Sequence, residues 1–174
     1  SIRTRAMISR IISGHQTGVD LGAIDAAISL NISHGGYVPA RFDATNKIRY
    51  PFNEDGPLDT PYLEGVSYTD AENYPVRTRY NVEAGDQTVI FYRSELGRGS
   101  QLTLRILKEL GKEYYGPYGL ATANIGQTIN ELVVCLTGTV NWAGTREANA
   151  PGIQAETFDI VRRIIKKQRE IWKQ

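Results

Sequence analysis

A short strand pattern that breaks into a glycine-marked turn and then an alanine-rich helix constrains the fold of this chain most strongly. Residues 8–12 predict a buried strand, and Gly14 and Gly18 mark the turn that follows it. Apolar residues at three- and four-residue spacing predict a helix over residues 19–30. A helix N-terminus that follows a strand presents backbone N–H groups and a dipole to an anion. We therefore expect this turn to bind phosphate, although any tight strand-to-helix turn can use glycines.

A second strand, glycine loop and helix occur in the middle of the chain. Residues 88–92 are β-branched or aromatic almost throughout and predict a central strand. Gly97 and Gly99 mark the loop after it, and a helix with four-residue apolar spacing runs from there to Gly111, a typical helix end. Residues 139–144 predict a last strand that ends in a polar loop. Because ligands of parallel sheets bind at the carboxyl ends of strands, we expect the loops 14–20, 97–100 and 141–146 to meet.

Strands and helices alternate along the chain and predict an α/β fold. We expect a single domain over residues 1–174, with a mostly parallel sheet of about five strands and helices on both faces. Within a predicted strand at 32–38, Gly35 and Gly36 indicate either a plain turn or the close approach of a backbone or a ligand. Residues 41–75 are rich in proline and tyrosine and lack periodicity. They predict a long irregular excursion, either an ordered flap over the ligand site or surface packing.

The balance of charge excludes several classes of partner. Lys and Arg number 20 against 19 Asp and Glu, a net charge of +1, so no overall field attracts nucleic acid or a membrane. No apolar run approaches the roughly 18 residues of a membrane helix, and we expect a cytoplasmic protein. The basic side chains of the final helix are predicted to form a solvated face, with nucleic-acid binding as the alternative.

The single cysteine, Cys135, is predicted to pack in the core. Two histidines without further ligands predict no protein-bound metal.

The glycine and polar residues of the loops form the predicted ligand site. The candidate phosphate-binding residues are Gly14, His15, Gln16, Thr17, Gly18, Gly35, Gly36, Gly97, Gly99, Ser100, Thr103 and Asn141. We expect Arg77 or Arg98 to supply a fixed positive charge for the phosphate oxygens. Asp20 is either a carboxylate that acts at the site or a first-turn residue that complements the helix dipole. Asp86 is a second candidate carboxylate.

A series of motifs runs in order over nearly the whole chain. They are Ser13-Gly14-His15-Gln16-Thr17-Gly18-Val19-Asp20, His34-Gly35-Gly36, Glu54-Asp55-Gly56-Pro57, Tyr74, Arg77-Thr78, Asn81-Val82, Asp86, Gly99-Ser100 with Thr103, Asn141 with Ala143-Gly144, and Pro151-Gly152-Ile153. In these motifs the chain resembles the putative molybdenum carrier family. The resemblance implies a Rossmann-like fold, a three-layer sandwich, and a phosphate-containing ligand, either a nucleotide or molybdenum cofactor. It also implies a homo-oligomer, either a dimer or a tetramer.

Two departures limit what this resemblance implies. His15 stands where the family usually has a second glycine, which places a bulky, titratable side chain in the loop. The same superfamily contains the lysine-decarboxylase-like phosphoribohydrolases, whose glycine-rich motif is followed by a catalytic glutamate. Thr103 stands at the corresponding place here. The glycosidase chemistry of those relatives is therefore not implied for this chain.

Three functions are compatible with the sequence, and we favour the first. It is a non-catalytic binding or carrier role for a phosphorylated heterocycle. The second is a hydrolase that acts on a nucleotide or its N-glycosidic bond, for which Asp20, Asp86 and Glu95 are the candidate general bases. The third is a nucleotide-responsive regulatory oligomer. Its tyrosine-rich residues 50–80 would form the interface, since tyrosine is enriched at such surfaces.

Overall fold

The computed structural model describes residues 7–68 and 74–172 as strands and helices that alternate along most of the chain. The strands are β1 (Ile8–Ser13), β2 (Ser33–Val38), β3 (Ala40–Asp43), β4 (Ile48–Asn53), β5 (Gly56–Pro57), β6 (Val66–Tyr68), β7 (Gln87–Tyr92), β8 (Glu113–Gly119) and β9 (Gly138–Gly144). The helices are α1 (Val19–Ser29), α2 (Thr60–Leu63), α3 (Tyr74–Ala84), α4 (Arg98–Leu110), α5 (Ile125–Cys135) and α6 (Ile153–Trp172), with a 3-10 turn at Glu147–Asn149.

Six parallel strands form the main sheet in the order β6-β2-β1-β9-β7-β8. The chain moves outward from β1 to β2 on one side and from β7 to β8 on the other. Strand β9 lies between them, so the direction of winding changes there. The predicted parallel sheet is confirmed, with one strand more than expected. The additional strand is β6, which pairs with β2 at the edge.

Helices cover both faces of this sheet, as predicted. On one face, α1 and α5 pack against α6 over a core that includes Ile24, Trp142 and Ile164, all fully buried. On the other face, α3 packs against α4 over a smaller cluster. That cluster contains Val82, Ile90, Ile106 and Leu107. The predicted three-layer α/β sandwich is therefore the observed fold.

The segment 40–68 is more regular than its sequence pattern indicates. Strands β3, β4 and β5 form a separate antiparallel sheet, and α2 then leads to β6 at the edge of the main sheet. Phe52 is 2% exposed, and the Arg41 guanidinium lies 4.0 Å from its ring centroid. The prediction of irregular structure is wrong for this part, because strands this short gain their order from tertiary contacts. Residues 69–73, also in the predicted excursion, lie outside the described residues.

Two further expectations change in the structure. Gly35 and Gly36 lie inside the continuous strand β2, not in a turn. A Cβ on Gly35 would lie 2.1 Å from the Gly65 carbonyl oxygen, and one on Gly36 would lie 2.3 Å from the Ser13 carbonyl oxygen. The two glycines therefore permit close approach of neighbouring backbone. Cys135 ends α5 and is only partly buried. The prediction that it packs in the core is therefore wrong.

The described helices do not include a membrane span. Within residues 7–68 and 74–172, no helix combines the length and the apolar composition that crossing a bilayer requires.

Gly22 sets how closely α1 approaches α6. A Cβ at this position would lie 2.5 Å from the Gln154 carbonyl oxygen and 2.8 Å from Thr157 Cβ. We predict that Gly22→Ala lowers the free energy of unfolding by about 1–3 kcal/mol, because the backbone of α6 must move to admit a methyl group. Urea denaturation at equilibrium measures the difference.

Gly126 in α5 provides the matched control for this substitution. The nearest atom to a Cβ there is Asn124 Oδ1 at 3.6 Å, an ordinary contact. Gly126→Ala should leave stability unchanged or raise it by up to about 1 kcal/mol, because alanine favours a helix. If both variants are equally stable, the close approach of α1 to α6 does not depend on Gly22.

Candidate ligand-binding cleft

The three loops predicted to meet at one edge of the sheet border a cleft of about 910 Å³. They follow β1, β7 and β9, and the first turn of α4 and one side of α3 complete the walls. The predicted site residues that line this cleft are Gly14, Gln16, Asp20, Arg77, Gly97, Arg98, Gly99, Ser100, Thr103 and Asn141. The cleft lies at the carboxyl ends of the strands beside β9, where the winding of the sheet changes direction.

Two backbone donors at the start of α1 are already engaged by the protein. The Gly18 amide donates to Gln154 Oε1 at 3.0 Å, and the Val19 amide donates to the Thr145 carbonyl at 3.1 Å. Gly18 has φ +96°, and a Cβ there would lie 2.3 Å from that same carbonyl oxygen. Neither Gly18 nor Thr17 lines the cleft. The Thr17 hydroxyl donates to Glu54 Oε1 at 2.5 Å. These groups brace the loop and do not line the cleft.

Asp20 occupies the concave side of the same loop. Its carboxylate accepts a hydrogen bond from the Gln16 amide at 3.3 Å and lies 3.8 Å from Arg77 Nη1. Burial raises the pKa of Asp20 to about 6, although the positive charge of Arg77 acts in the opposite direction. Asp20 is a first-turn residue of α1 and lines the cleft.

Arg77 lies directly against Gly14. A Cβ on Gly14 would stand 1.5 Å from Arg77 Nη1, so the guanidinium occupies the space that a side chain at position 14 would take. The guanidinium carbon also lies 5.0 Å from the Tyr74 ring centroid, within reach of a cation–π interaction. Burial lowers the pKa of Arg77, and the charge of Asp20 opposes that effect. Position 77 thus supplies a buried cation in the wall of the cleft.

His15 packs away from the cleft, against the segment 40–68. It is fully buried with φ 61°, and its ring Nδ1 lies 3.1 Å from the Ser13 carbonyl oxygen. Asn53 donates to the His15 carbonyl at 3.0 Å, and the Tyr62 ring meets the imidazole edge-on. Burial lowers the pKa of His15 to about 4, so the ring is neutral at physiological pH. Its place in the structure makes it a support for the loop.

The start of α4 is open to the cleft. Positions for a Cβ on Gly97 and Gly99 have no atom within 4 Å, and the first turn contains no acidic residue. Within the described residues, the backbone amides of residues 98–100 have no hydrogen-bond partner. Ser100 is buried at this turn, whereas Arg98 is exposed. Thr103 donates its hydroxyl to the Gly99 carbonyl at 3.0 Å.

Several buried polar atoms around the cleft have no partner in the described part of the chain. They are both amide atoms of Gln16, Arg77 Nε, Trp142 Nε1 and Thr145 Oγ1. Buried polar groups in proteins nearly always form hydrogen bonds with protein, water or a ligand. Asn141 is different, since its side-chain amide donates to Thr88 Oγ1 at 3.2 Å. The cleft therefore has both unpartnered backbone amides at the start of α4 and unsatisfied polar side chains in its walls.

The circularly permutated YpsA SLOG family has a model that matches residues 11–165. The chain belongs to this family. A putative molybdenum carrier protein from Syntrophus aciditrophicus SB has a similar crystal structure, with a TM-score of 0.78 and 28% sequence identity. The similarity covers 92% of this chain and 96% of that chain. No curated protein gives a significant match. These similarities confirm the predicted resemblance to putative molybdenum carriers.

Three predicted site residues of this family member lie away from the cleft at other parts of the sheet. Gly35 and Gly36 are inside β2. Asp86 accepts a hydrogen bond from the Thr139 amide at 2.9 Å, which places it at the amino ends of β7 and β9. It is therefore at the opposite edge from the cleft.

Sequence reasoning missed other residues of the site. Arg93 and Asn149 line the cleft without having been predicted, and so do Tyr74 of the family motifs and Arg146 of the predicted loop 141–146. Glu54, which belongs to one of the family motifs, accepts a hydrogen bond from the Thr17 hydroxyl and lies 3.9 Å from Arg146 Nε. The position of Arg146 in the polar loop after β9 was the available signal for that residue. Among the described residues, no group of three or more His, Cys, Asp or Glu side chains could hold a metal ion.

The buried neutral His15 makes the stability of this family member depend on acid pH. Its pKa is about 4 in the folded chain against an ordinary value of 6.5, so the unfolded chain binds the proton first as the pH falls. We predict that the parent loses stability relative to His15→Gly below pH 6.5, by at most about 1.4 kcal/mol per pH unit. Urea denaturation of both proteins over this range measures the difference.

The interval above neutral pH is the internal control for this prediction. His15 is neutral in the folded and the unfolded chain there, so the stability difference between parent and variant should be constant. A difference that is also constant down to about pH 4 would contradict the buried, neutral state assigned to His15.

Proposed function

We propose that the protein binds or carries a small phosphate-containing heterocycle, either a nucleotide or a molybdopterin-type cofactor, with its phosphate at the start of α4. The observation that carries this proposal is the open N-terminus of α4 in the wall of the cleft. Three consecutive amides there have no partner within the described residues. Free amides and the helix dipole together favour an anion.

Charge and space around this turn support a phosphate. Among the described residues, four arginines line the cleft, at positions 77, 93, 98 and 146, against the two carboxylates Asp20 and Glu95. The Ser100 hydroxyl is buried at the first turn of α4. Because Gly97 and Gly99 have no side chains, a phosphate can approach the backbone closely. Arg98, at the first position of the helix, can pair with the phosphate oxygens.

The rest of the cleft has room for a ring. Its volume of about 910 Å³ lies within the range of known ligand pockets, roughly 300–1,000 Å³. Tyr74, Leu96, Leu102 and Trp142 contribute to its walls. The unpartnered amide atoms of Gln16 can hydrogen-bond to polar atoms of a heterocycle. A phosphate at α4 and a ring along these walls would occupy the cleft together.

A molybdopterin-type cofactor is compatible with the same donors. The related crystal structure carries the name putative molybdenum carrier protein. Such a cofactor binds its metal through its own sulfur atoms, so the protein needs to hold only the phosphate and the pterin ring. The start of α4 and the side chain of Gln16 would supply those contacts. We retain the homo-oligomer and the cytoplasmic location as proposals from the sequence.

Binding without turnover is better supported than hydrolysis. Asp86, one candidate base, lies at the opposite edge of the sheet. Asp20 is engaged with Arg77 and with the Gln16 amide. Glu95 lines the cleft but is exposed and stands in no recognisable catalytic motif. Thr103, at the position of the relatives' catalytic glutamate, has no carboxylate.

Direct identification of the ligand tests this proposal. Freshly purified protein is denatured, and the released small molecules are analysed by mass spectrometry. Isothermal calorimetry then compares nucleoside monophosphates and a phosphorylated pterin with the corresponding compounds that lack phosphate. We expect the phosphate to strengthen binding by about tenfold or more. If no phosphorylated compound is released or bound, the proposal is wrong.

A negative charge at the start of α4 should block the phosphate. Position 99 is open, so Gly99→Glu places a carboxylate at the second residue of the helix without a clash. We predict a loss of nucleotide affinity of at least about tenfold, because the carboxylate competes for the same amides. Stability should be unchanged or slightly higher, since an acidic residue in the first turn complements the dipole.

Gly126→Glu is the matched control, because Gly126 is also the second residue of its helix, α5, and does not line the cleft. It changes the net charge equally and should leave nucleotide affinity unchanged. Equal affinities in both variants would show that the phosphate does not bind at α4.

A further inference from the structure

Two helix N-termini face the cleft region, and their charges differ. The first turn of α4 has no acidic residue and has open amides, whereas α1 has Asp20 in its first turn. The amides of Gly18 and Val19, at the start of α1, already donate to Gln154 and Thr145. The cleft thus has one open anion site and one that the protein itself fills.

Asp20 has the contacts that a bound anion would have. It accepts from the backbone amide of Gln16, in the loop between β1 and α1, and it lies 3.8 Å from the buried Arg77. The side chains of Asp20 and Arg77 are each 10% exposed, and both line the cleft. The carboxylate is therefore a resident anion that a ligand entering the cleft meets directly.

We propose that Asp20 is a specificity residue that limits the ligand to one phosphate, which binds at the start of α4, and excludes a second phosphate beside α1. This inference rests on the proposed function, with the phosphate at the start of α4. Because like charges repel and the amide and the cation beside Asp20 are engaged, a second phosphate is excluded from this end of the cleft. The ligand instead presents hydrogen-bond donors to the carboxylate, such as sugar hydroxyls or an amino group.

The charged groups around Asp20 agree with this role. Arg77 of α3 is the cation nearest to it, and Glu54 from the segment 40–68 adds a second negative charge at longer range. Arg146 acts on Arg77, and the neighbouring His15 is neutral. Above pH 7 the Asp20 carboxyl is ionised, since its pKa is about 6. Nucleoside monophosphates and singly phosphorylated pterins therefore suit the cleft, whereas nucleoside 3′,5′-bisphosphates do not.

Calorimetry at about pH 8 with matched pairs of ligands tests the proposal. The probes are the 5′-monophosphates and 3′,5′-bisphosphates of adenosine and guanosine. The parent should bind the monophosphates at least about tenfold more tightly than the bisphosphates. In Asp20→Asn, which keeps the side-chain shape, the bisphosphates should gain about tenfold and the preference should disappear. Asp20→Ser is the second variant if the asparagine protein does not fold.

Glu95→Gln is the matched charge control. Glu95 also lines the cleft, and its substitution changes the net charge equally. Among the described residues, however, Glu95 forms no ion pair with Arg77 and no hydrogen bond with the loop after β1. Glu95→Gln should change the affinities for the monophosphate and the bisphosphate of each pair by the same factor. If Asp20→Asn raises the affinities for the monophosphate and the bisphosphate equally, or if the parent binds the two with equal affinity, Asp20 is not a specificity residue. If no nucleotide binds to the parent or to any variant, the proposed function fails, and this inference fails with it.

Discussion

The parallel pairing of β9 with both β1 and β7 is the constraint on which the rest of this structure depends. Because the three strands run in the same direction, the loops that follow them emerge at one edge of the sheet. Those loops carry Gly14, Gly97 and Thr145, which are distant in sequence and meet only here. The chemistry available to the cleft therefore follows from strand order as much as from any single motif.

The same arrangement explains why two similar strand–loop–helix units have different roles. The loop after β9 and the start of α6 provide acceptors for the amides of Val19 and Gly18, so α1 begins as a braced helix. No such acceptor reaches the start of α4 within the described residues. One glycine loop thus serves packing and the other remains available. Sequence alone did not distinguish them, because glycine permits the approach of a ligand and of a backbone equally.

Periodicity predicted the elements whose order is local or strongly apolar, such as α4 and β7, and the alternation predicted the parallel sheet. The strands of segment 40–68 were missed because prolines interrupt them and because their order depends on contacts such as those of the buried Phe52. In the cleft, Arg77 was predicted from its charge. The burial of His15 was not, since a histidine in a glycine loop has the same sequence signal whether it packs or binds.

The position of Glu54 connects the small antiparallel sheet to the cleft. This carboxylate accepts a hydrogen bond from Thr17 after β1 and lies 3.9 Å from Arg146 after β9, so it holds loops from two strands at once. A ligand that draws Arg146 toward its phosphate removes one partner of Glu54. The small antiparallel sheet and the loops after β1 and β9 are thereby joined through one carboxylate, so these loops depend for their positions on a segment that lies outside the main sheet.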